Sequence, residues 1–371
     1  MKRVFASILV LTLLAGLAGC GSTPAPAAPT AAPPEEGPPP EPTSPPLAEE
    51  LHVYNWSEYI DPEIYDEFEQ EFGVRVIEDT FSSNEDLLAK LQAGATGYDI
   101  IVPSDYMVTI MRELELLAEL DYENIPNFEN IDPKFLDPPY DPGNTYCVPY
   151  QWGTSGIGYD SEVFDEAPDS WAYLFDPEMA GPYANKMSML NDTREAFAAA
   201  LKYLGYSLNT TEQQELEEAK QLLIEQKEWV STYDSEGFED LLAAGETMLA
   251  HGWSGDFFAA AEEAEQIWYV IPEEGGVIWT DNLCIPDSAP EKYTAEVFID
   301  YLLRPEVGAK ITNYTWYGSP NQASEEYIDA EILEEPAIYP PPEVMEKLEF
   351  IRDVGETTAV YERMWTEIKT Q

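Results

Sequence analysis

The chain of 371 residues has room for two domains or one large one, and 44% of its residues are hydrophobic, enough to bury a sizeable core. It carries 72 Asp+Glu against 18 Lys+Arg, a formal net charge of -54. This excludes nucleic acid as a default partner, because phosphate binding needs a basic surface. The same balance favours cationic ligands, but solubility or a saline or acidic habitat accounts for the total as well, so the charge alone assigns no ligand.

In chain order, Lys2 and Arg3 precede an apolar run, Val4 to Leu17, that is short for a bilayer span and is followed by Ala18-Gly19-Cys20. Residues 1–20 read as a signal peptide. The Leu17-Ala18-Gly19-Cys20 ending is similar to the bacterial lipobox, in which the Cys becomes the lipidated first residue after cleavage. The alternative is an ordinary secretory signal with an incidental Cys. From Gly21 to Glu50 the composition changes abruptly, with eleven of the 31 prolines in thirty residues. Such a segment is an extended, solvated tether. No later segment is apolar enough to span a membrane.

The folded part begins near Leu51 with a strand around His52–Tyr54. Asp61-Pro62 then supply an N-cap and a first-turn proline for a helix carrying Ile64, Phe68 and Phe72, which Gly73 stops. Val74–Ile77 is the next strand, and Ser82-x-x-Glu85 is a capping box for a helix ending at Gly94. "YDIIVPSDY" contains a short buried strand, Ile100–Val102, with a helix from about Met107. This β-α-β-α-β order predicts an α/β fold with a mostly parallel sheet. Further strands are expected in "CVPYQWGTSGIGYD", "KMSMLND", "GETMLAHGW", "IWYVIP" and "GGVIWTDNLCIP", and a strong helix in "TREAFAAALKYLG". Cys147 and Cys284 are either bridged or two buried free thiols, which spacing does not decide.

Catalytic and metal signatures are absent: there is no Gly-x-Ser-x-Gly, Walker loop, His-Glu-x-x-His or Cys-x-x-Cys. Aromatics paired with acids or hydroxyls at the ends of predicted strands stand out instead. In open α/β sheets ligands sit beyond those ends. The five stretches are Trp56-Ser57-Glu58-Tyr59, Pro103-Ser104-Asp105-Tyr106, Asn191 to Glu195, Gly252 to Asp256, and Trp279-Thr280-Asp281, whose outer two residues share one face of a strand. Each has a plainer reading: Asp192 and Glu195 fit an N-cap and its partner, and Trp253 and Trp279 fit a core. Aromatic faces attract ammonium groups and stack on methylenes, and carboxylates pair with the charge. A slot built from both suits an elongated aliphatic polycation.

These stretches, with "VPYQWGTSGIGY", "SWAYLFDPEMAG", "FIDYLLRPEVGAKITNYTWYGSPN" and "DVGETTAVYERMW" in order from Leu51 to near the C-terminus, resemble the spermidine/putrescine-binding proteins of bacterial ABC importers. The resemblance implies a two-lobe periplasmic-binding-protein fold of type II. Each lobe is a mostly parallel sheet flanked by helices, and the ligand sits in the cleft between them. Residues 49–156 with 281–322 would form one lobe, 157–280 with 323–371 the other, and 21–48 the tether. Aromatic walls would be Trp56, Tyr59, Trp253, Trp279 and Tyr317; acids meeting the nitrogens, Glu58, Asp192, Glu195 and Asp281; secondary contacts, Ser57, Ser104, Tyr106 and Ser235. Where the family can present a Gln before "DVG", this chain has Ile351-Arg352. The implied protein is a monomeric, non-enzymatic receptor without cofactor or metal. It is lipid-anchored through Cys20 on the extracytoplasmic face of the membrane and delivers polyamine to an ABC permease. The alternatives are a receptor for another cationic or small organic ligand, or a lipid-anchored hydrolase using two of the acids.

Overall fold

The structure, a computed structural model, describes residues 44–94 and 96–370. The signal peptide, Cys20 and the tether up to Thr43 lie outside the described residues. Nine strands occur among the described residues: β1 Glu50–Asn55, β2 Arg75–Thr80, β3 Ile100–Ile101, β4 Cys147–Asp160, β5 Met187–Met189, β6 Val230–Tyr233, β7 Leu249–Trp253, β8 Ile267–Val270 and β9 Ile278–Cys284. No helix among these residues is long and apolar enough to cross a membrane.

Local chemistry places the first elements as expected. Asp61 accepts from the Glu63 amide and caps the helix Pro62–Phe72, and Gly73, at φ 73°, ends it in the left-handed region that costs glycine nothing. The second helix, Asn84–Gln92, starts one residue later than the sequence suggests. Ser83, not Ser82, accepts from the Asp86 amide, and Glu85 is turned to the Tyr106 hydroxyl at 2.9 Å. The third helix, Asp105–Glu113, begins immediately beyond β3 and Ser104.

The fourteen residues of β4 organise the molecule. Cys147–Thr154 pair antiparallel with β9, while Ser155–Asp160 pair with β7 and β8. The strand order is β2-β1-β3-β9-β4-β7-β5-β6, with β8 also on β4. Strands at each flank run parallel, β1 with β2 and β3, and β5 with β6 and β7. The shared strands β4 and β9 run antiparallel to their neighbours, a pairing that needs no crossover helix. The fold is therefore mixed α/β in two halves joined by the long strand. Each half has its own core: one gathers Leu51, Phe68, Ile100 and Phe298, the other Ile157, Phe197, Leu201 and Tyr361. Cys147 and Cys284 are register partners on β4 and β9 and are joined by a disulfide, with Cα atoms 4.5 Å apart.

Candidate functional site

The ends of β1, β3, β5, β7 and the middle of β9 open on one cleft. All thirteen sequence-predicted site residues line it: Trp56, Ser57, Glu58, Tyr59, Ser104, Tyr106, Asp192, Glu195, Ser235, Trp253, Trp279, Asp281 and Tyr317. It also takes in Phe81, Asn84, Asp105, Glu236, Phe238, Glu239, Asp256 and Ile351. The lining holds eight aromatics and eight acids, and no described Lys, Arg or His.

The loop after β1 is held rather than merely turned. Trp56 donates its indole N–H to the Val102 carbonyl at 2.9 Å, so its polar edge is occupied and its ring is left to pack on Phe81 and against Trp253, at centroid distances of 4.5 and 5.7 Å. Glu58 takes φ 53°, an uncommon conformation for a side-chain-bearing residue. Tyr59 is fixed through its carbonyl, which accepts from Tyr150 and Gln151. Its hydroxyl donates to Asp281 Oδ2 at 2.7 Å, and its ring meets Tyr317 edge-on at 5.3 Å.

Asp281 is the centre of this network. Ser104 donates to its other oxygen at 2.6 Å, and Asn84 in turn holds Ser104 through both hydroxyl and amide at 3.0 Å. The carboxyl is 5% exposed, and burial pushes it up to about 7 against the pull of its two hydroxyl donors. On the same face of β9, Trp279 packs on Tyr317 at 5.1 Å. Both rings close over Gly153, where a Cβ would come within 2.9 Å of them.

Asp192 and Glu195 satisfy both of their readings. Asp192 accepts from the Glu195 amide at 3.0 Å and caps the helix Thr193–Leu204, yet both side chains face the cleft. Glu195 accepts from Ser155 at 3.0 Å. Its second oxygen has no hydrogen-bond partner among the described residues and lies 3.9 Å from Nε2 of His251, which burial keeps neutral. Burial, with the neighbouring Asp192, raises Glu195 to about 8. Asp105 is also raised to about 8 by burial. Carboxylates this deep without a basic partner in the cleft are costly for the free protein, and a cation would relieve them.

Asn84 escaped the sequence, whereas Asp105 and Asp256 lay in the quoted stretches without being assigned to the site and Ile351 stood there as a departure. Asn84 and Asp105 brace the site from behind, Asp105 accepting from the Thr280 and Tyr106 amides at 3.0 and 2.6 Å. Asp256 sits in the first turn of the helix Ser254–Ala261 with the Tyr317 hydroxyl against it. Ile351 puts an apolar side chain, 6% exposed, at the position where the resemblance suggested a polar contact.

A cleft between two α/β halves joined by a shared strand, walled by aromatics and acids, defines a two-lobe ligand receptor of the periplasmic-binding type. The sequence matches the bacterial extracellular solute-binding protein family over residues 63–340, and the chain belongs to that family. It is 37% identical over 321 residues to the spermidine/putrescine-binding periplasmic protein of Salmonella typhimurium, covering 86% of this chain and 91% of that one. A spermidine/putrescine ABC transporter structure from Listeria monocytogenes superposes with a TM-score of 0.82 at 36% identity, covering 87% and 99% of the two chains. The TpPotD lipoprotein of Treponema pallidum superposes with a TM-score of 0.76 at 32% identity, covering 87% and 100%.

Proposed function

We propose that this chain is an extracytoplasmic receptor that captures a polyamine, spermidine or putrescine, and hands it unchanged to the permease of an ABC importer. The observation that carries this is the composition of the cleft: eight acids and eight aromatics, with no described base. The methylene chain would lie against the rings of Trp56, Tyr59, Trp253, Trp279 and Tyr317. Its ammonium groups would pair with Glu58, Asp192, Glu195 and Asp281, while Ser57, Ser104, Tyr106 and Ser235 position those acids or add polar contacts. Asp192, Glu195 and Asp281 are already desolvated, so an ammonium paired with one of them avoids an uncompensated buried charge on either side, while Glu58 is exposed. The similarity to the spermidine/putrescine-binding periplasmic protein of Salmonella typhimurium supports the ligand class.

The lobes in this reading are residues 49–156 with 281–322, and 157–280 with 323–371. Lipidation of Cys20 and the 21–48 tether hold a monomer at the outer face of the membrane; the Treponema relative is itself a lipoprotein. Equilibrium dialysis against radiolabelled spermidine tests the reading. One label should be retained per chain and recovered chemically unchanged. No retention, or release of a modified product, would overturn it. Anchoring has its own test: Cys20→Ser should leave the membrane fraction while keeping full ligand affinity, and a variant that stays membrane-bound contradicts the anchor.

A further inference from the structure

His251 is a buried titratable group that is not part of the cleft lining. It lies on β7, 1% exposed, opposite Ile157 of β4 in the register and edge-on to the Trp171 ring at 5.4 Å. An apolar side chain would fill that place at lower cost, because Nδ1 is buried with no hydrogen-bond partner among the described residues. A proton on Nδ1 would have no acceptor, so the neutral ring carries its proton on Nε2. That nitrogen stands 3.9 Å from Oε2 of Glu195, the only acid within salt-bridge distance of it among the described residues. The gap is about 1 Å longer than a hydrogen bond. Glu195 Oε2 is itself buried without a partner among the described residues, while its other oxygen accepts from Ser155 at 3.0 Å and, at 3.5 Å, from the Trp253 indole. An unused donor and an unused acceptor therefore lie side by side, just out of reach.

We propose that His251 is a positioning residue for ligand capture: its Nε2–H closes on Glu195 Oε2 when an ammonium group binds, and fixes the carboxylate that the ligand meets. The inference rests on the polyamine reading. In the free protein, burial and the neighbouring Asp192 favour the protonated acid, which has little need of a donor on Oε2. An arriving ammonium favours the carboxylate, and the proton of Glu195 leaves to solvent. A buried carboxylate needs donors on both of its oxygens. Ser155 supplies one, and His251 is the group placed to supply the other. The imidazole stays neutral throughout, since burial disfavours its charged form and a second cation beside the ammonium would oppose binding. Charge balances at the site: one ammonium enters, one proton leaves, and none passes to the ring.

The sequence holds only two histidines, so both can be followed by NMR in the full chain labelled at histidine nitrogen. His52, on β1 and not part of the cleft lining, is the internal control. Saturating spermidine should move the Nε2–H proton resonance of His251 downfield and slow its exchange with water, keep the ring neutral, and leave His52 unchanged. Titration calorimetry gives the energetic arm. His251→Phe, which keeps an aromatic ring against Trp171, should bind spermidine about tenfold or more weaker, the size of one hydrogen bond to a charged group. His251→Gln, whose amide nitrogen can reach the place of Nε2, should keep most of the affinity. If wild type binds spermidine while the His251 resonances stay where they were, or if the Phe and Gln variants bind alike, the role of His251 is refuted and the polyamine reading stands. The spectrum of the unsubstituted chain decides this even where a variant folds poorly. If wild type binds no amine, both fall together.

Discussion

Replacing Asp281 with Asn removes one charge from a net of -54, so its effect separates a built slot from general acidity. Asp281 is 5% exposed, its oxygens are aligned by Ser104 at 2.6 Å and Tyr59 at 2.7 Å, and no described base lies in the cleft to share it. Both partners are hydroxyls, so one can turn to accept from the Asn amide, and the fold should be kept. The ligand ammonium, however, is left buried without its partner. Truncating one side of a desolvated charge pair costs roughly 2–5 kcal/mol, which is about thirtyfold in affinity at the low end. Titration calorimetry with spermidine at moderate salt measures it, with Glu49→Gln, exposed at the chain's surface, as the matched loss of one charge. Equal effects below about twofold for the two variants, on the scale that screening gives any surface charge, would refute the reasoning.

Ligand affinity should rise with pH between about 6 and 8 and level off above, because a cation binds the deprotonated forms of Asp281, at about 7, and Glu195, at about 8; an affinity that is flat or falls across this range contradicts the linkage. The same acids, with Asp105 at about 8, stand above the ordinary carboxyl value of about 4. The folded state therefore holds more protons than the unfolded state between about pH 4 and 8, and the melting temperature of the free protein should fall as pH rises through that window. His251, held down to about 3 by burial, acts oppositely but is one group against three, so a melting temperature that climbs steadily would be the contrary result. Gly153→Ala should displace Trp279 and Tyr317, whose rings lie 2.8 and 2.9 Å from the new Cβ, costing about 1–3 kcal/mol of stability and weakening spermidine binding; normal affinity would show that the two rings are not part of the slot. Cys147→Ala with Cys284→Ala opens a sequence separation of 137 residues and should cost about 2–5 kcal/mol in denaturant unfolding, with ligand affinity nearly unchanged because neither cysteine lines the cleft.

Much of this site was legible because its residues sit where strands stop. β4 is the quoted run Cys147–Asp160 without change, and Trp279 and Asp281 face the cleft together because strand side chains alternate. β6 was not seen, since Val230–Tyr233 is short and partly exposed and shows no apolar alternation. Glu85 was read as a capping partner and instead holds Tyr106; both roles use an acid at a helix start, and only the fold chooses between them. Glu239 was hidden for a related reason, whereas Asp256 closed the quoted stretch Gly252 to Asp256 without being assigned to the site. In a chain with 72 acids, an acid in the first turn of a helix carries no contrast, and burial is what distinguishes it. The disulfide was undecided because proximity of Cys147 and Cys284 follows from the pairing of β4 with β9, not from their spacing.

A specific cleft and diffuse acidity differ in what they ask of a cation: the cleft needs a chain as well as a charge. Titrating the chain with spermidine and separately with cobalt hexammine, a compact trivalent cation, over a salt series measures this most directly. A polyamine slot should give a saturable one-to-one heat for spermidine that survives physiological salt, while cobalt hexammine, which has the charge but no chain to lie along Trp56, Trp253 and Trp279, binds weakly and is screened away. Equal binding of the two cations, lost together as salt is raised, would contradict it.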